Sequence, residues 1–91
     1  SMFCVNCMHL QVTLKEDSDL IGHVIRDVPW QQRFATIVVA MKRGNGRNDS
    51  RLSDVILAAG DVILMDTSEY VWSMLTHNDC MDCWIAHGMV W

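Results

Sequence analysis

The sequence predicts an α+β fold: a small antiparallel or mixed β-sheet with two helices packed on one face, and the other face in a dimer interface. Three observations predict it. The stretch from His9 to Lys15 alternates apolar and polar residues. Two later runs, Phe34 to Met41 and Val62 to Met65, are almost continuously apolar and rich in β-branched residues. Two segments open with acidic or hydroxyl residues and carry apolar positions at helical spacing. The order of elements is strand, helix, strand, one or two short strands, helix.

Each element has a local cause. Leu10, Val12 and Leu14 fall on one side of an extended chain, and His9, Gln11, Thr13 and Lys15 on the other, as a half-buried strand requires. Asp17 or Ser18 can cap a helix whose stripe is Leu20, Ile21, Val24, Ile25 and Val28, ended by Pro29. Phe34 to Met41 is strand-sized, and its lack of alternation says that both faces are covered. Residues 42–51 form a polar loop with a Gly-Asn-Gly turn signal. Leu52 to Leu57 reads as a short strand or turn, and Ala58-Ala59-Gly60-Asp61 reverses the chain into Val62-Ile63-Leu64-Met65. Asp66 and Glu69 have the spacing of a capping box for a helix carrying Val71, Trp72, Met74 and Leu75. Ser1-Met2 reads as a tag scar, which with the residues up to 7 forms an N-terminal extension. Residues 8–77 make the domain, and 78–91 form a C-terminal extension without an assignable structure.

The chain has 91 residues, 51% hydrophobic and 20% charged, so it folds around one core and is not disordered. Its formal net charge of -4 argues against phosphate-driven binding of nucleic acid and against a polybasic membrane surface. No apolar stretch is long enough to span a bilayer, and no signal peptide is visible. Two helices cannot easily cover both faces of a sheet built from such apolar strands. A second copy is the simplest cover, through Ile37, Val39, Met41, Ile63 and Met65. The alternative cover is the tail, with Trp84, Ile85 and Trp91.

Five blocks occur in order: Ser18-Asp19-Leu20-Ile21-Gly22, Ile25-Arg26-Asp27, Arg33-Phe34, Ile37-Val38-Val39-Ala40-Met41-Lys42-Arg43-Gly44, and Leu57-Ala58-Ala59-Gly60-Asp61-Val62-Ile63-Leu64. Together they resemble the TrkA-C family, the C-terminal regulatory domain of potassium-transport regulators, also called the RCK C-terminal domain. The likeness runs from about Val12 to Val71. His23 stands where the family usually has Lys, Ala35 where it usually has Gly, and the polar loop lacks the short apolar strand and prolines common there. The resemblance implies a non-catalytic module on the cytoplasmic side of a membrane, part of a parent transporter or channel for ions or anions. It implies a homodimer that binds a small ligand at its interface and relays that state to the membrane part.

The residues that could carry chemistry are few. Cys4, Cys7, Cys80 and Cys83 form two C-x-x-C pairs that could converge on Zn²⁺, since thiolates suit that ion and the spacing presents both sulfurs on one turn. Their long separation in sequence leaves open reduced buried thiols, disulfides and a redox switch. Arg26, Arg33, Lys42 and Arg43 could line a site for a small anionic ligand or nucleotide, because the guanidinium fork matches phosphate. The competing reading pairs them with Asp27 and Asp61 as salt bridges. His23 follows Gly22 near the expected interface and has the chemistry of a pH sensor. Asp49, Asp54 and Asp61 lack the spacing of an EF-hand.

Overall fold

The computed structural model describes residues 7–44, 51–77 and 83–88. It contains strand β1 (Cys7–Leu14), helix α1 (Trp30–Phe34), strand β2 (Thr36–Lys42), strand β3 (Val62–Ser68), helix α2 (Glu69–His77) and strand β4 (Trp84–Gly88), with short 3-10 turns at Ile25–Asp27 and Leu52–Asp54. The strands form one antiparallel sheet in the order β2-β3-β1-β4. The α+β class with two helices against this open sheet is the one the sequence predicts.

Pairing of Leu10 with Met65 and Val12 with Ile63 puts these four side chains on one face. They are fully buried there with Leu14, Trp30, Phe34, Leu75 and Trp84. Both helices therefore contribute to the core on this inner face. The opposite parity (His9, Gln11 and Thr13 on β1, Val62, Leu64 and Asp66 on β3) forms the outer face.

The first helix differs from expectation. Residues 20–25 do not form one long helix. Gly22 takes φ +87, and the chain turns to pair with residues 55–57. The Gly22 amide donates to the Leu57 carbonyl at 2.8 Å, the Leu57 amide to His23 at 2.9 Å, and the Ile25 amide to Val55 at 2.9 Å. These inter-segment bonds, with the Val24–Ile56 bridge, satisfy backbone groups that a helix would have used locally. Leu20, Ile25 and Val28 still reach the core. Pro29 opens α1 instead of ending a helix, a role its fixed φ permits in a first turn.

The second helix starts later than the capping-box reading placed it. β3 continues through Asp66 and Thr67 to Ser68, and it is the Ser68 hydroxyl that accepts the Val71 amide, at 3.2 Å. The C-terminal extension is partly ordered: β4 pairs with β1 and places Trp84 in the core, its ring 4.5 Å from that of Phe34. It lengthens the sheet at its edge. Of the proposed covering residues, Ile85 lies exposed on the outer face and Trp91 is outside the described residues.

Candidate functional site

The outer sheet face is the feature with most functional content. Its β2–β3 half is apolar. Ile37 pairs with Asp66, Ala40 with Leu64, and Lys42 with Val62. Between Val38 and Ala40 the register shifts, so Val39 is an extra, bulged residue. Ile37 is 49% exposed and Val39 44% exposed, although both are large and apolar. The β1–β4 half is mixed: His9 Nδ1 contacts Asp66 Oδ1, and Thr13 Oγ1 lies 2.8 Å from His87 Nε2, beside the exposed apolar Ile85.

The bulge corrects the predicted dimer contacts. Without it, Ile37, Val39 and Met41 would share a face by period two. One extra residue flips the parity, so Met41 pairs with Ile63 on the inner side and packs against the core. Ile63 and Met65 are fully buried beneath the helices of their own chain, so no second copy can reach them. On the β2–β3 half the exposed large apolar side chains are Ile37 and Val39, adjoining Ala40, Val62 and Leu64; Ile85 is exposed at the far edge of the same face.

Three of the four predicted cations, Arg26, Arg33 and Arg43, are engaged by carboxylates of their own chain. Arg43 makes a two-pronged contact with Asp61, Nε to Oδ1 at 2.8 Å and a terminal nitrogen to Oδ2 at 2.7 Å, and also donates to the Ile56 carbonyl at 2.8 Å. Asp61 is 1% exposed and accepts the Ala58 amide at 2.9 Å as well. Its hydrogen bond raises the Arg43 pKa further above the usual guanidinium value. This pair ties the end of β2 to the turn before β3. Arg26 pairs with Asp54 across the two 3-10 turns. Arg33 donates to both oxygens of Asp19, at 2.7 and 2.9 Å, and its guanidinium lies over the Phe34 ring. Lys42 and His23 are exposed, Lys42 on the outer face and His23 in the turn that meets Leu57. Of the five residues, Arg26 alone lines the cleft of about 630 Å³ bounded by Trp30, Gln31, Thr36, Val38 and Leu52. The Thr36 hydroxyl is buried and has no hydrogen-bond partner among the described residues.

Cys7 and Cys83 lie at opposite ends of β1, since Cys7 pairs with Ser68 while Cys83 hands its carbonyl to the Lys15 amide at 3.1 Å. Eight residues of strand separate the ends by roughly 23 Å, against the 2.3 Å of a zinc–thiolate bond. The structure thus does not bring these two sulfurs together. Cys7 is disulfide-bonded, and Cys4 and Cys80 fall outside the described residues. Among the described residues no group of three His, Cys, Asp or Glu side chains is placed to hold a metal ion.

Cys83 is a buried free thiol. It donates to Asp19 Oδ1 at 3.3 Å and receives an N–H from Arg33 at 3.4 Å. Burial first, and the Asp19 carboxylate second, push its pKa above the usual thiol value. The Arg33 hydrogen bond, then that of Cys83, hold the Asp19 carboxyl below the usual carboxylate range. Sequence reading missed Asp19 as a partner of both, because the contact joins segments far apart in the chain.

The site is thus a small sheet with one face under helices, exposed apolar side chains on the other, and Arg26, Arg33 and Arg43 engaged in internal ion pairs, with no constellation of catalytic groups among the described residues. The comparisons agree. Residues 9–69 match the TrkA-C domain, and the chain belongs to that family, whose members are non-catalytic regulatory modules. Sodium/sulfate cotransporter 1 of Chlamydomonas reinhardtii is 59% identical over 61 residues, and sodium/sulfate cotransporter 2 of the same organism 56% identical over 61. In both cases the match spans 67% of this chain and 7% of the relative. The uncharacterized transporter sll0640 of Synechocystis sp. is 34% identical over 55 residues, 60% of this chain and 9% of the relative. No solved structure matches the chain. Among the described residues, no helix is long and apolar enough to cross a membrane.

Proposed function

We propose that this chain is the cytoplasm-facing regulatory domain of a membrane anion transporter, of the sodium/sulfate cotransporter kind, and that it works by pairing with a second copy through the outer sheet face. The observation that carries the reading is the pairing of a TrkA-C core, similar to a segment of those cotransporters, with large apolar side chains left exposed on one sheet face. Exposed apolar clusters on small domains mark interaction surfaces. An isologous contact buries the same patch on both partners, so Ile37 and Val39 of each copy meet residues of the same face.

The transport state is biased only if pairing, or a ligand, has different affinity for the two conformations of the parent. A small anionic ligand is best served at the cleft beside Arg26, whose partner Asp54 is itself half exposed and can be displaced. Sedimentation equilibrium tests the pairing. A monomer–dimer equilibrium that Ile37→Lys shifts to monomer supports the reading, and a strict monomer at all concentrations refutes it. Calorimetric titration with sulfate and with a nucleotide, repeated on Arg26→Gln, tests the ligand arm.

A further inference from the structure

The contacts of Cys83, Asp19 and Arg33 lie outside the outer face and are not explained by docking there. They sit where β4 joins the rest of the molecule. β4 follows the stretch matched to the family, which ends at residue 69. Among the described residues it is an edge strand of five residues, paired to β1 alone, with a register irregularity between Gln11 and Val12. Edge strands held from one side open more readily than central ones.

A second feature weakens its hold. The indole N–H of Trp84 is buried and has no hydrogen-bond partner among the described residues. A buried, unpaired donor regains water when the segment opens, so this group favours release. The core indole Trp30, by contrast, donates to the Ile25 carbonyl at 2.8 Å. Against release stand the β1–β4 ladder, the Thr13–His87 hydrogen bond, the Trp84–Phe34 ring contact, the Lys15–Cys83 backbone bond and the side-chain triangle. The triangle joins three segments: Asp19 from the turn after β1, Arg33 from α1, and Cys83 at the mouth of β4.

We infer that β4 is a displaceable strap, and that the Asp19–Arg33–Cys83 triangle is the latch that sets how often it leaves the sheet. Its departure bares the edge of β1 and the slot filled by Trp84. A bared strand edge presents unpaired N–H and C=O groups that template pairing with another extended segment.

Amide hydrogen exchange on the whole chain tests this. In the native protein the β4 amides exchange about tenfold or more faster than the β1–β3 ladder, through an opening that leaves the ladder intact. Asp19→Asn, at a side chain 62% exposed, removes the carboxylate charge without touching the core. It speeds exchange in β4 by roughly two- to fivefold, the size of a partly exposed ion pair, and leaves the β2–β3 amides unchanged. Equal exchange rates in β4 and the ladder of the native protein overturn the strap. An Asp19→Asn variant with unchanged β4 exchange, or with the same acceleration everywhere, overturns the latch.

Discussion

Replacing Ala35 by glycine stabilises the fold. Ala35 ends α1 with φ 53 and ψ 40, the left-handed region. There its Cβ crowds the following carbonyl, which costs a non-glycine residue about 1–2 kcal/mol. The conformation is imposed by its surroundings: the Ala35 amide caps the Gln31 carbonyl at 2.9 Å, and its own carbonyl accepts the Thr67 hydroxyl at 2.9 Å. Both bonds use backbone groups that glycine keeps. The methyl is exposed, so its loss opens no cavity. Glycine adds entropy to the unfolded chain, which offsets about 0.4–1 kcal/mol of the gain. The net is a stabilisation of about 0.5–1 kcal/mol, or a Tm rise of roughly 2–8 °C for a domain of this size. Calorimetric or circular-dichroism melts of Ala35→Gly and Ala35→Val beside the parent chain read it directly. The β-branched variant melts lower than the parent. A glycine variant that melts at or below the parent temperature shows that this residue carries no strain.

Other perturbations follow from the same geometry. Asp61→Ala leaves Arg43 without its carboxylate and the Ala58 amide without its acceptor, and costs about 2–4 kcal/mol in denaturant unfolding, the lower part of the range for a broken buried pair because Arg43 is half exposed. Ile37→Lys weakens self-association: each copy loses about 1 kcal/mol of further burial, which over two copies is roughly thirtyfold in Kd, read by sedimentation, while far-ultraviolet circular dichroism stays unchanged. The folded state prefers the Cys83 thiol to the thiolate, so this contribution to stability is intact below the ordinary thiol value of 9.0 and is lost as pH rises through the raised pKa. Urea midpoints across that alkaline range fall more steeply for the parent chain than for Cys83→Ser. Asp19 has the opposite sign. Its contribution holds above the ordinary carboxylate value of 3.8 and disappears as pH falls through the lowered pKa, a slope absent in Asp19→Asn.

Much of the fold was legible because the sheet writes itself locally. Leu10, Val12 and Leu14 alternate, and the apolar run Val62 to Met65 divides into Ile63 and Met65 inside and Val62 and Leu64 outside, whereas the run Phe34 to Met41, expected to be covered on both faces, leaves Ile37 and Val39 exposed. What escaped the sequence depends on distant partners. The stripe Leu20, Ile21, Val24, Ile25 and Val28 has helical spacing, and Leu20, Ile25 and Val28 are indeed buried, yet the backbone found its hydrogen bonds with residues 55–57. A one-residue bulge at Val39 leaves no mark in composition, but it turns Met41 inward and leaves Val39 exposed on the strand. Asp66 has the spacing of a helix cap and serves instead as a strand residue facing His9. Of the candidate site residues, Arg43 met Asp61 as the salt-bridge reading had it, while Arg26 and Arg33 found Asp54 and Asp19.

The proposed meeting of two copies through the outer face of the sheet can be observed directly. An isotope-filtered NOE experiment on a mixture of labelled and unlabelled chain observes only contacts between copies. Docking through this face predicts cross-copy signals among the methyl groups of Ile37 and Val39. Cross-copy signals confined to the exposed side of α2 at Tyr70 and Met74, or none under conditions where the protein is dimeric, would contradict it.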